Sequence, residues 1–123
     1  MAEKPLLPKD LTPFFKKTEI ICETAQQIIK DFGIYGKEIT FSGNAKAAYN
    51  ELFSQIEPII SKMLSEEYEK FLSVLYRIDI SEKQIAQATS EEKASSPSAI
   101  ITHIIIEREL KKVVTKHYFS KTL

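Results

Sequence analysis

The chain has 123 residues, too few for two ordinary domains and enough to bury one core, and its apolar fraction of 43% is well above that of a disordered chain. Three glycines and five prolines argue against a turn-rich β-sandwich or barrel. Seventeen basic residues balance seventeen acidic ones, and the resulting formal net charge of zero removes the general electrostatic case for nucleic acid or an anionic membrane surface.

The single cysteine, Cys22, excludes an intrachain disulfide and, lying in a helical pattern, reads as a small core residue rather than a nucleophile. Residues Met1 to Pro5 lack the apolar stretch of a signal peptide, and apolar runs such as Ile104-Ile105-Ile106 are far too short to span a membrane. A cytoplasmic protein with no membrane partner is the resulting expectation.

Residues 1–10 hold charges and two prolines without periodicity and read as a flexible arm. The domain proper is expected over 11–119, with a frayed C-terminus at 120–123. Thr12 followed by Pro13 has the form of a helix start, a hydroxyl cap and then proline where its missing N–H costs nothing. Phe14, Ile21, Ala25, Ile28, Ile29 and Phe32 share one face, and Gly33 offers a stop, so the first helix is predicted at about 13–32. Residues 34–42 break the pattern. Ile39 and Phe41 alternate with polar neighbours, and a crossover linker that plugs these two side chains into a bundle is expected.

Asn44 caps the next predicted helix, 44–64, whose stripe runs from Tyr49 through Leu52, Phe53, Ile56, Ile60 and Met63. Pro58 lies opposite that stripe, where water can satisfy the carbonyl it frees, so a bent but continuous helix is expected. Ser65 is placed as cap of a third helix, 66–78, with a tight turn near 65; one continuous helix over 44–78 is the alternative. Ser81 and Gln84 have capping-box spacing and Ile80 and Ile85 the spacing of a hydrophobic staple, which predicts a short helix at 82–88. Residues 89–98 read as a mobile loop, and Pro97 opens a last helix that runs to about Tyr118. The fold expected is all-α, an antiparallel bundle of four main helices plus one short helix.

The last helix is apolar on most sides. Ile100, Ile101, Ile104 and Ile105 form one arc, and Ile106, Leu110, Val113 and His117 a second. Such a helix is central in its bundle or covered by a second subunit. Glu107 lies between the arcs, and a carboxylate there must be paired or protonated unless it reaches outward to water; Arg77 is the best placed cation, and its pairing with Glu107, or with Glu109, is expected, with an outward Glu107 as the alternative.

The chemistry-bearing residues are few. His103 and Glu107 are four apart on one helix face, but two ligands without a third do not make a metal site, so neither a metal nor a cofactor is expected. There is no phosphate-cradling glycine loop, no nucleophile elbow and no zinc-protease motif, and no catalytic residue is assigned. Tyr76, Arg77, Asp79, His103 and Glu107 are the candidate binding cluster for a small polar ligand or substrate. Arg108, Lys111, Lys112 and Lys116 form a modest basic stripe, which cations near a helix C-terminus explain without nucleic acid. A non-catalytic protein-interaction or regulatory module, binding a protein partner or a second copy of itself, is the function expected; a small enzyme or polar-ligand-binding protein built on the Tyr76/Arg77/Asp79/Glu107 cluster is the alternative.

Overall fold

The structure, a computed structural model, describes residues 18–122. The arm at 1–10 and the helix start at Thr12 and Pro13 lie outside the described residues. The described chain is all-α: α1 (Thr18–Gly33), a single 3-10 turn (Ala45–Ala47), α2 (Ala48–Glu66), α3 (Tyr68–Ile78), α4 (Glu82–Glu91) and α5 (Pro97–Thr122).

Side-chain pairs fix the directions of these helices. Glu23 meets Lys116 and His117, and Asp31 lies against Glu109, so α1 and α5 are antiparallel. Tyr49 meets His103 and Glu57 meets Ser98, so α2 and α5 are antiparallel too. Arg77 pairs with Asp31, and the Tyr35 hydroxyl reaches the Ser73 carbonyl, which sets α3 against α1. Helices α1 and α2 therefore run one way, α3 and α5 the other, in an antiparallel bundle of four main helices with α4 as the short fifth. α5 packs against all four other helices, which is the central position its apolar sides called for.

Because α1 and α2 are parallel, the chain between them must run back along the bundle. Residues 37–44 do this in extended form, antiparallel to α2 and tied to it at three levels. Lys37 pairs with Glu67 at 2.6 Å, the Gln55 side chain bonds the Thr40 backbone on both sides, and Glu51 accepts from the Ser42 N–H and hydroxyl. The lengths agree: eight extended residues reach about 26 Å, close to the rise of an α2-sized helix at about 1.5 Å per residue. Ile39 is buried and Phe41 packs on the core, as a plugged crossover requires.

Each boundary has a local cause. Asn44 Oδ1 accepts from the Lys46 N–H, capping the 3-10 turn that leads into α2. Pro58 sits exposed inside an unbroken α2. The turn near 65 is a single residue, Glu67, at φ −139° and ψ 52°, so the two helices are separate. Ser65 does not cap the second of them. Its hydroxyl donates back to the Ser61 and Lys62 carbonyls, a habit of serine inside a helix, and Glu67 occupies the cap position without a side-chain bond.

Helices α1 and α3 end alike. The Lys37 N–H bonds the Phe32 carbonyl and the Ile80 N–H bonds the Leu75 carbonyl, the closing bonds of Schellman motifs. The left-handed residue is Gly36 (φ 78°) in the first, so Gly36 and not Gly33 makes the stop, and Asp79 (φ 73°) in the second. Ser81 Oγ accepts from the Gln84 N–H, the serine half of a capping box, and Ile80 and Ile85 are both buried in the same core cluster, as the staple spacing expects. α4 extends to Glu91, three residues beyond its predicted end, with the Thr89 and Ser90 hydroxyls bonded back to carbonyls within the helix. The connection to α5 is thus shorter than the 89–98 loop expected. α5 opens at Pro97 and continues through Thr122.

The core joins Ile28 and Phe32 of α1, Ile56, Ile60 and Met63 of α2, Leu75 and Ile78 of α3, and Ile101 and Ile105 of α5, all with at most 2% exposure. Each contributes about 1.5–3 kcal/mol by leaving water.

Candidate functional site

The five residues singled out in the sequence separate into two groups, and no hydrogen bond or ion pair joins the groups among the described residues. Tyr76, Arg77 and Asp79 stand at the end of α3 and diverge. The Tyr76 side chain is 89% exposed. Arg77 turns inward, and Asp79 Oδ2 accepts from Arg108 on α5 at 3.0 Å. His103 and Glu107 lie on the outer face of α5, both exposed, with 3.4 Å between His103 Nε2 and a Glu107 oxygen.

Arg77 pairs with neither Glu107 nor Glu109. Its Nε donates to Asp31 Oδ1 at 2.8 Å, and Asp31 has 1% exposure. The reason lies in the geometry of α5. At 100° per residue the two apolar arcs are separated by Glu107 on one side and by Thr102 and Glu109 on the other, about 160° away. The bundle buries the second side. Thr102 and Glu109 are completely buried, Thr102 satisfies its hydroxyl on the Ser98 carbonyl at 2.7 Å, and Glu107 is left in water.

Glu109 thus lies at the centre of the buried face, where it meets Asp31. Two ionised carboxylates there leave both Glu109 oxygens without a donor. A proton on Glu109 resolves this, because the acid then donates to Asp31. Burial, reinforced by the Asp31 charge, pushes Glu109 up to about 9, with Lys112 (3.7 Å) opposing weakly. Burial also acts against the Asp31 anion, but hydrogen bonds from Glu109, Gln27 and Arg77 outweigh it and hold Asp31 below the ordinary carboxylate range. The result is a one-proton carboxyl pair anchored by a guanidinium, tying α1, α3 and α5 together. Neither of the surface cavities described next is lined by Asp31, Arg77 or Glu109.

Asp31 carries a partial signal in the sequence, since it lies three residues from Ile28 and next to Phe32, at the edge of the apolar face of α1. Glu109 lies four residues from both Ile105 and Val113, in one of the two gaps between the apolar arcs of α5, and spacing alone does not choose between that gap and the one that holds Glu107.

The outer face of α5 carries the second arrangement. Tyr49, near the start of α2, lies 2.8 Å from His103 Nδ1, and its ring meets the imidazole edge-on at 5.9 Å. The neutral tautomer with hydrogen on Nε2 satisfies both contacts, Tyr49 donating to Nδ1 and Nε2–H facing Glu107. Burial, and then the Glu107 charge, raises the Tyr49 hydroxyl above its ordinary value. Tyr49 separates two openings. One is an apolar cavity of about 260 Å³ between Ile21, Ala48, Leu52, Ile106 and Leu110. The other is a groove of about 590 Å³ between α2, α4 and the start of α5, floored by Phe53, Ala88, Ile100 and Ile104, with Glu91 and Glu92 along it. Ile100 and Ile104 are only half-buried, on a side of α5 that α2 and α4 partly cover.

Arg108, Lys112 and Lys116 of the basic stripe of α5 are engaged within the molecule. Arg108 holds Asp79, Lys112 reaches Glu109 and the Ile78 carbonyl, and Lys116 with His117 holds Glu23 below its ordinary range through their hydrogen bonds. Among the described residues no three His, Cys, Asp or Glu side chains are grouped to hold a metal ion. No described helix is long and apolar enough to cross a membrane. No protein-family model matches the chain, and neither the curated proteins nor the solved structures contain a match to it.

Proposed function

We propose that the chain is a non-catalytic protein-interaction module of the cytoplasm that seats a helical segment of a protein partner in the groove between α2, α4 and α5. The observation that carries the reading is the second apolar side of α5. Ile100 and Ile104, with Phe53 of α2, keep part of their surface in contact with solvent along a groove of about 590 Å³, although α5 is otherwise the central helix. Apolar surface of that kind, concave and next to small residues, is what partners bury. The alternative reading, a small enzyme or polar-ligand protein built on Tyr76, Arg77, Asp79 and Glu107, has no assembled site to support it. Those side chains point to different partners, and the buried carboxyl pair is closed by the packing of three helices.

Ile104→Asp tests the reading, since Ile104 is half-buried and its replacement places a charge on the groove floor; because Ile104 also packs against the core, circular dichroism is used to confirm that the variant is folded. Mass in solution as a function of concentration, and affinity capture by the full chain, are measured for the wild type, for Ile104→Asp and for the distant surface variant Tyr76→Ala. Association lost in Ile104→Asp and kept in Tyr76→Ala supports the groove as the interaction surface. A second copy of the chain as the occupant shows as a doubled mass that Ile104→Asp abolishes. Association insensitive to Ile104→Asp sinks the proposal.

A further inference from the structure

Resting on that reading, we infer that the partner segment is a cationic amphipathic helix, its apolar face on Ile100, Ile104 and Phe53 and its lysines or arginines against Glu91 and Glu92. The form of the occupant follows from the walls. The described residues offer no sheet edge to which a strand can add, while a groove between helices floored by aliphatic and alanine side chains accepts an amphipathic helix at its i, i+3, i+4 and i+7 positions. Ala88 of α4 and Ala99 of α5 line the groove and permit close approach of a backbone. A volume of about 590 Å³ suits a few apolar side chains rather than a whole domain.

The charge of the occupant follows from the rim. Glu91 is the last residue of α4 and Glu92 the one after it, and the last turn of that helix carries no basic residue. Carboxylates at a helix C-terminus add to the negative end of the helix dipole, the reverse of the favourable arrangement. Some acidic groups of the molecule are paired with its own cations, as Glu23 is with Lys116, Asp31 with Arg77, Glu67 with Lys37 and Asp79 with Arg108, whereas the groove is lined by two glutamates and by no lysine or arginine. Glu91 is bonded by the Gln87 amide and Glu92 by the Ala94 N–H. Among the described residues no lysine or arginine pairs with either; Lys93, next in the chain, does not line the groove. An apolar floor with an uncompensated acidic rim is complementary to a basic amphipathic helix and repels an acidic one.

The test titrates the full chain with a fluorescent synthetic helix of about 18 residues, leucines on one face and lysines on its flanks, against the same peptide with glutamates in place of lysines. Anisotropy at low and at high salt gives the affinities. The lysine peptide is expected to bind at least about tenfold more tightly than the glutamate peptide and to weaken with salt. The Glu91→Lys/Glu92→Lys chain is expected to lose the lysine peptide and gain the glutamate one. Ile104→Asp is expected to lose both, with circular dichroism confirming that each variant is folded. Equal affinity for the two peptides, or lysine-peptide binding that survives Glu91→Lys/Glu92→Lys, overturns the inference. If neither peptide binds but the chain self-associates through Ile104, the cationic partner fails and the interaction reading stands. If Ile104→Asp changes neither peptide binding nor association, both fail.

Discussion

Glu109 shows most directly how one residue links sequence, packing and pH. It is an acid whose protonated form the fold favours, because it is buried and because Asp31 beside it keeps its charge through Gln27 and Arg77. Its folded pKa, near 9, lies above the ordinary carboxylate value, so between pH 4.5 and 9 the folded state holds a proton that the unfolded state has released. Stability from this group is therefore present in full below about pH 4.5 and falls as pH rises, by about 1 kcal/mol per pH unit, levelling above about pH 9. Chemical denaturation at a series of pH values checks this. In Glu109→Gln, whose amide donates to Asp31 without titrating, that slope is expected to vanish and stability at pH 8 to exceed that of the wild type; an unchanged slope would mean that Glu109 is not the proton carrier. Arg77→Ala is expected to cost about 2–3 kcal/mol, below the full penalty for breaking a buried pair because the guanidinium is about a third exposed while Asp31 is not. A loss within about 0.5 kcal/mol would reduce Arg77 to a surface residue.

At the scale of the element, what the sequence made legible was what local rules decide. The Ser81 cap, the Ile80/Ile85 staple, Pro97 at the start of α5 and the continuity of α2 through Pro58 all follow from contacts within a turn or two, and each is present in the structure. Asp79 was harder to foresee, because nothing in the pattern says that the Schellman position of α3 falls on a non-glycine residue while α1 has Gly36 there. A β-branched side chain clashes in the left-handed region, whereas aspartate tolerates it with a modest strain. Asp79→Val is therefore expected to lower stability by about 1–2 kcal/mol. Asp79→Gly is expected to lie within about 0.5 kcal/mol of wild type, the backbone relief offsetting the exposed pair with Arg108. Thermal unfolding of the two variants side by side separates backbone strain from loss of charge, since both lose the carboxylate and only valine adds strain.

At the scale of the whole molecule, the helix inventory was legible but the choice of buried side on α5 was not. The two apolar arcs are separated by a polar residue on each side. Only the positions of α1 and α3 decide that Thr102 and Glu109 go inward while Glu107, with Ile100 and Ile104 near it, faces outward. The expected pairing of Arg77 with Glu107 is not formed for that reason, and Tyr76, Arg77 and Asp79 stand apart from His103 and Glu107. The direction of the bundle, in contrast, was already implied by the crossover, because a plugged, extended linker of that length lets α1 and α2 run parallel. The crossover is then part of the core and not a surface loop, and its energetics should say so. Ile39 is 2% exposed and belongs to the same cluster as Ile56 and Ile105, so Ile39→Ala is expected to cost about 2–4 kcal/mol, as much as a truncation inside a helix. Denaturant unfolding is expected to show a lower midpoint with an unchanged slope, since the strap unfolds together with the bundle. Hydrogen exchange at the Thr40 N–H, held by Gln55, distinguishes the two cases: protection close to that of α2 follows from an integral strap, and exchange at the rate of an open loop would detach it from the fold.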